Sequence, residues 1–423
     1  MRTSHLLTTA AVLTAGCSTT NEPEVETVEG RDDLSVHIYH SRISNGLSDE
    51  LVLNAPDGLE SVLMEVRGDK GLYYLTKFKT PTKGDLIEGA GYVTRFAREV
   101  PGLVDWLYPN TPTLGMEPGE YRILLRGESP GGGTLDEDVE IRLYAKAKSF
   151  DSCGIHLDFL VDKDAIDARD IEKALDDAVV WVNDLYAPHG IRVLDYQVSP
   201  ITLPTTRFEV EKTSVTRDVD DVLAQARRLD TARTDSVHVV VVRSIGGSDP
   251  AGYAMGLPGP FDADRSNAAV LVSTEAYTDG QGFLDVNGLA STVAHEVGHY
   301  LGLYHTSEAS GTQHDPIPDT AQCSNANCSS EFNKNIMTAG GGSTRTKVTD
   351  GQAFVVRQHP LCTPMDFTQP PATCSLSCNA PTTCSIVAGN QACRPACDPD
   401  GVRCATGTGT CRHDDIGTFV CVP

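Results

Sequence analysis

Between His295 and His305 the chain reads HEVGHYLGLYH, three histidines, one glutamate and two glycines within eleven residues of a chain holding twelve histidines in all. On a helix, positions four apart are offset by about 40° around the axis and about 6 Å along it. His295 and His299 therefore share a face and can reach one ion. Leu289, Val293, Val297 and Leu301 fall on the opposite side and form a core stripe, so one helix carries a buried face and a ligand face. Glu296, about 100° from His295, can approach a metal-bound water without ligating the metal. Zinc lowers the pKa of such a water from about 15.7 to about 7, and a neighbouring carboxylate can take its proton as it attacks a carbonyl. Gly302 can adopt a positive φ, ending the helix and turning the chain so that His305 returns as third ligand. The chemistry this spacing predicts is metal-assisted hydrolysis.

With its extension, the stretch is an H-E-x-x-H-x-x-G-x-x-H pattern and resembles the signature of the metzincin metallopeptidases. The gluzincin pattern, with a glutamate ligand on a later helix, fits less well, because Glu308 and Glu331 sit in turn-rich, cysteine-containing sequence. The resemblance implies a methionine turn beneath the metal, and NKNIMTAGGG places Met337 thirty-two residues after His305 as a hydrophobic floor. Within the clan the chain is most similar to the pappalysin group, on AGYAMGLPGP, NAAVLVST, HEVGHYLGLYHT, HDPIPDTAQC and KVTDGQAFVVRQHPLC. That likeness implies a structural calcium ion at Asp315, Asp319 and Thr320, where the plain alternative is an Asp/Pro-rich turn. It also implies disulfides involving Cys323 and Cys328, with Cys153 and Cys362 as candidate partners; a free Cys153 thiolate capping the zinc is the alternative. Where several metzincins carry a tyrosine two places after the methionine, this chain has Ala339, so that oxyanion stabiliser is absent or supplied elsewhere. The activity implied is that of a zinc endopeptidase on protein substrates. A catalytically silent surface adhesion protein is the alternative, against which the retained Glu296 speaks.

The elements that must position these residues fall in 149–362. GIHLDFLV, IRVLDYQV, SVHVVVVRSIG and NAAVLVST read as strands, and DAIDARDIEKALDDAVVWVNDLYAPHG and DVDDVLAQARRLDTA as helices, the first ended by Pro188 and Gly190. The order predicts an α/β (α+β) domain with a mixed sheet and the active-site helix, in which NAAVLVST is the edge strand that receives an extended substrate. His238 lies inside an apolar run and reads as a core residue. Residues 33–148 read as short strands separated by Gly, Pro, Asp and Asn, a β-sandwich serving as an accessory or pro-domain. His37 and His40, three apart on one strand, point to opposite faces and make no ligand pair.

At the start, residues 1–17 have Arg2, a short apolar run and small residues before Cys17, the shape of a signal peptide. LTAGC resembles a lipobox with its leucine one place too far, which leaves lipidation of Cys17 and ordinary cleavage both open. Residues 18–32 read as an acidic linker, and 363–373 as a proline-rich one. Thirteen cysteines, eight of them in the Cys-rich module 374–423, point to an oxidising compartment: the extracellular space or a bacterial outer surface, with a lipid tether there if Cys17 is modified. That module carries too little apolar content to fold without crosslinks, and with no CxxC pair it reads as disulfide-rich rather than zinc-binding. The formal charge of -24 argues against a nucleic-acid partner.

Overall fold

The computed structural model describes residues 23–365 except 70, 88–102, 148–150, 166–170, 204–206, 209–233, 246–250, 266, 280–281, 309–310, 324–327 and 340–344, together with four short strands beyond residue 381. Cys17, its flanking signal and the expected helix DVDDVLAQARRLDTA lie outside the described residues.

Two antiparallel sheets make up the N-terminal part. One joins β1 (Glu24–Val28), β2 (Arg31–Ile43), β9 (Glu137–Lys146), β4 (Ser61–Arg67) and β7 (Leu103–Tyr108) in that order. The other joins β3 (Leu51–Ala55), β8 (Gly119–Glu128), β5 (Leu72–Thr80) and β6 (Gly84–Asp85). Side chains alternate across a strand, and here both faces of the first sheet, β1 apart, carry buried side chains. Tyr39, Val62, Met64, Trp106, Ile141 and Leu143 meet Leu53, Phe78, Tyr121 and Ile123 of the second sheet. The opposite face, with Leu34, Val36, Ile38, Leu63, Leu107 and Tyr144, joins the core of the central domain. Part of the segment read as an acidic linker is β1, whose Glu-Val-Glu-Thr-Val alternation pairs with β2. Acidic residues at its exposed positions disguise it as a tether.

The central domain has a mixed sheet in the order β11 (Ile191–Ile201), β10 (Cys153–Asp162), β13 (Val237–Val242), β16 (Val270–Ser273) and β15 (Gly252–Ala254); β12 (Arg207–Phe208) and β14 (Ser244–Ile245) pair separately. The first four strands are parallel, and β13 and β16 are buried at every position, which explains their unbroken apolar runs. One expectation is corrected here. The NAAVLVST strand is internal, because β15 pairs antiparallel with β16 and takes the edge. Three residues in glycine- and proline-rich sequence gave no strand signal.

Helix α1 (Ile171–Tyr186) covers the sheet and packs on α2 (Val286–Tyr300); the Tyr186 hydroxyl donates to the Ala294 carbonyl at 3.4 Å. Two further helices, α3 (Ser330–Lys334) and α4 (Asp350–Gln358), follow. Cys153 is bonded to Cys362 and Cys323 to Cys328, so Cys153 offers no thiolate to a metal. β17 (Thr363–Pro364), inside the segment read as a proline-rich linker, adds to β10 beside the first disulfide. In the C-terminal segment, β18 (Thr382–Val387) pairs with β19 (Asn390–Pro395) and β20 (Thr410–His413) with β21 (Phe419–Val422), placing Cys384 opposite Cys393 and Cys411 opposite Cys421.

Buried charges occupy the junction between the N-terminal sheets and the central domain. Lys146 Nζ donates to the carbonyls of Arg357, His359 and Cys362, and Arg265 bonds Glu65, Asp105 and the Val66 carbonyl. Burial pushes Lys146 down to about 7, and it pushes Asp105 up to about 7 although Arg265 pulls the other way.

Candidate metal centre

Helix α2 begins at Asp285, whose carboxylate accepts from the Gly288 amide at 3.1 Å. Leu289, Val293, Val297 and Leu301 are fully buried in the domain core, as the stripe predicts. His295, Glu296 and His299 are buried on the other face. Gly302 has φ +102°, and a Cβ there would stand 2.8 Å from Leu107 Cδ2 of the N-terminal unit. Both the backbone conformation and the space require glycine. Beyond the turn Leu303 enters the central core, while Tyr304 enters the core between the two N-terminal sheets. The chain leading to His305 is thus clamped by both parts of the molecule.

The three rings meet at Nε2, with 3.1 Å between His299 and His305 and 3.3 Å between His305 and His295. Each Nδ1 has an acceptor of its own: the Ile336 carbonyl for His295 at 2.6 Å, the Leu303 carbonyl for His299 at 2.7 Å, and the Glu308 carboxylate for His305 at 3.2 Å. A carbonyl or carboxylate can only accept, so the proton of each neutral ring sits on Nδ1 and each Nε2 presents a lone pair. Three lone pairs converging without a proton between them repel unless a cation lies among them. Nitrogens bound to one ion at about 2.0–2.1 Å in tetrahedral geometry stand about 3.3 Å apart, and the observed separations match. Burial, reinforced by the neighbouring His299, holds His295 well below its ordinary pKa and thus in the neutral, ligating form. Among the described residues this is the one His/Cys/Asp/Glu group whose ligand atoms converge in this way. The donor set fits zinc.

Met337 lies beneath the site, fully buried, and a Cβ on Gly298 would come within 2.8 Å of its sulfur. The turn is held by Asn335, which accepts from the Met337 amide at 2.8 Å and exchanges two amide hydrogen bonds with Gln352. Gln352 also completes the capping box of α4. Ala339 is half-buried and carries no hydroxyl. Glu296 packs against the edge strand: a Cβ on Gly252 would fall 2.6 Å from Glu296 Oε1 and from Thr292 Cγ2. The Thr292 and Tyr277 hydroxyls are hydrogen-bonded, and Arg345 is buried nearby. Gly252, Tyr277, Arg345 and the orienting Glu308 were not identified from sequence. Only Glu308, three places after a ligand, had a local signal that could have found it.

The candidate cation group is spread along one turn. Asp315 Oδ1 accepts from Thr320 Oγ1 at 2.6 Å and from the Ile317 amide at 3.3 Å, while its buried Oδ2 has no hydrogen-bond partner. Burial raises Asp315 to about 7. Asp319 instead serves α4, accepting from Thr349 Oγ1 at 2.8 Å and the Gly351 amide at 2.9 Å.

A comparison with protein families agrees with this geometry. Residues 157–349 match the family model described as Metallo-peptidase family M12. A Colletotrichum graminicola protein named extracellular metalloprotease is 33% identical over 152 residues, covering 35% of this chain and 49% of its own length. The chain thus spans about half the length of that relative. Among solved structures, metalloproteinase-II from Bacteroides fragilis aligns over 53% of this chain and 62% of its own, with 11% identity and a TM-score of 0.33. An archaemetzincin from Methanopyrus kandleri aligns over 50% and 88%, with 15% identity and a TM-score of 0.27. The match over residues 157–349 to the M12 metallo-peptidase model and the three converging imidazoles beside Glu296 point the same way: this segment is similar to a metallopeptidase domain, with His295, His299 and His305 as its zinc-binding group.

Proposed function

We propose that the protein is an exported zinc endopeptidase that hydrolyses peptide bonds of protein substrates, of pappalysin-like character. The observation that carries this reading is the set of three acceptor nitrogens, oriented by partners on the far side of each ring, next to the carboxylate of Glu296. Zinc held by His295, His299 and His305 would supply Lewis acidity toward a carbonyl and lower the pKa of a water from about 15.7 to about 7. Glu296 accepts the proton of the attacking water and returns it to the leaving amine. An extended substrate lies along β15, whose Gly252 lets the strand pack closely against Glu296. Export is supported by the two disulfides and by the fungal relative's being an extracellular metalloprotease by name; lipidation of Cys17 and a surface tether through it belong to the same reading. A calcium ion at Asp315, Asp319 and Thr320 is supported by the buried, unpartnered oxygen of Asp315.

Digestion of casein by the purified chain and by Glu296→Gln tests the reading. Glu296→Gln is expected to retain the fold and lose proteolysis by at least about 100-fold. Equal proteolysis by both would sink the mechanism, and inactivity of both would favour a silent binding protein.

A further inference from the structure

Arg345 follows the methionine turn and is pinned beside it, because the Thr346 and Lys347 amides both donate to the Lys334 carbonyl and Ile336 N donates to the Lys347 carbonyl. Its side chain is 6% exposed, its Nε has no hydrogen-bond partner, and no carboxylate of the described residues lies within ion-pair distance. A guanidinium is always charged and is built to take a carboxylate in bidentate fashion. Burying one without a directly bonded counter-ion is costly, and Glu296 acts on it only at longer range, so a direct partner is left for a bound ligand to supply.

The location says which part of a substrate that is. Arg345 lies within electrostatic reach of the Glu296 carboxylate and the Tyr277 hydroxyl, and burial lowers its pKa. Tyr277 is hydrogen-bonded to Thr292, which stands one turn before Glu296 on the same helix face. Glu296 must face the leaving amine in order to protonate it, and that amine belongs to the residue that follows the scissile bond. On this geometry the side chain of that residue would point toward the group formed by Thr292, Tyr277 and Arg345.

We infer that Arg345 selects substrates with an acidic side chain immediately after the cleaved bond, its guanidinium pairing with an aspartate or glutamate of the substrate. This rests on the endopeptidase reading. A hydrogen-bonding site discriminates strongly against a ligand that leaves its buried polar group unpaired, so glutamate is expected to exceed glutamine at that position by about 10- to 100-fold in kcat/KM.

Two measurements test the inference. Cleavage sites in a peptide mixture are mapped by mass spectrometry for the wild type, Arg345→Gln and Arg345→Glu. The expected result is enrichment of Asp and Glu after the cleaved bond, loss of that enrichment in Arg345→Gln and a shift toward Lys and Arg in Arg345→Glu. In parallel, binding of a peptide pair differing only in Glu or Gln at that position is measured on the zinc-loaded Glu296→Gln chain, with and without Arg345→Gln. This arm needs no turnover, so a failure of the endopeptidase reading leaves it decisive. Tighter binding of the Glu peptide by at least about tenfold, abolished by Arg345→Gln, supports the inference. Equal binding of the two peptides overturns it. So does a wild-type cleavage profile without acidic preference, or an Arg345→Gln variant that slows Glu and Gln peptides to the same extent.

Discussion

At the junction of the N-terminal sheets and the central domain, Arg265 is 4% exposed and meets Glu65, Asp105 and the Val66 carbonyl. Beside the metal site, Arg345 is about as deeply buried and meets no carboxylate of the described residues. The difference extends to the groups around each. Lys146 at the junction donates to three carbonyls, whereas the imidazoles at the site turn three lone pairs toward one point. A buried charge whose partners come from the same chain holds two layers in register. One that has no direct partner among the described residues marks where something else can bind.

The same substitution at both positions breaks this comparison most sharply. Arg265→Met leaves Glu65 and Asp105 buried without their shared cation and is expected to cost about 3–5 kcal/mol of stability. Arg345→Met removes an unpaired charge and is expected to be neutral or stabilising by about 1 kcal/mol. Urea unfolding of both variants reads the difference. Equal losses would erase the distinction between the two arginines.

A smaller effect is expected at Gly302, where the two regions touch. Gly302→Ala forces a side chain into a φ of +102° and against Leu107, at a cost of about 1–3 kcal/mol. Because His305 follows on the same turn, zinc affinity should fall as well, whereas a loss of stability at full zinc affinity would mean that the clamp does not position the ligand. A pH effect is expected as well. His359, at the junction, donates from Nε2 to the Gly259 carbonyl at 2.9 Å, and burial holds it down to about 3. Since the unfolded chain binds this proton near 6.5, stability from this group is complete above that pH and is lost as pH falls from about 6.5 toward about 3, at about 1.4 kcal/mol per unit. Chemical denaturation of His359→Gln between those limits should show a shallower pH slope than wild type; identical slopes would place the proton elsewhere.

The ligand helix was legible because each demand on it is local. Ligand spacing, core stripe and turn glycine all lie within seventeen residues, Leu289 to His305, and all are found where the periodicity puts them. What was not legible depends on partners distant in sequence. The edge strand β15 is defined by hydrogen bonds to β16 rather than by its own composition. The fusion of the two layers depends on pairs such as Arg265 with Glu65, separated by 200 residues, and Arg345 becomes informative only once its burial is known. Leu107 and Tyr304 read as ordinary apolar residues, yet each fixes the turn that carries His305.

Zinc content tests the central claim most directly. Protein purified without chelator should carry one zinc per chain in the wild type and in Glu296→Gln, and His305→Ala should lose it. A wild-type chain that holds no zinc under those conditions, or a His305→Ala variant that retains it at wild-type affinity, would contradict the account.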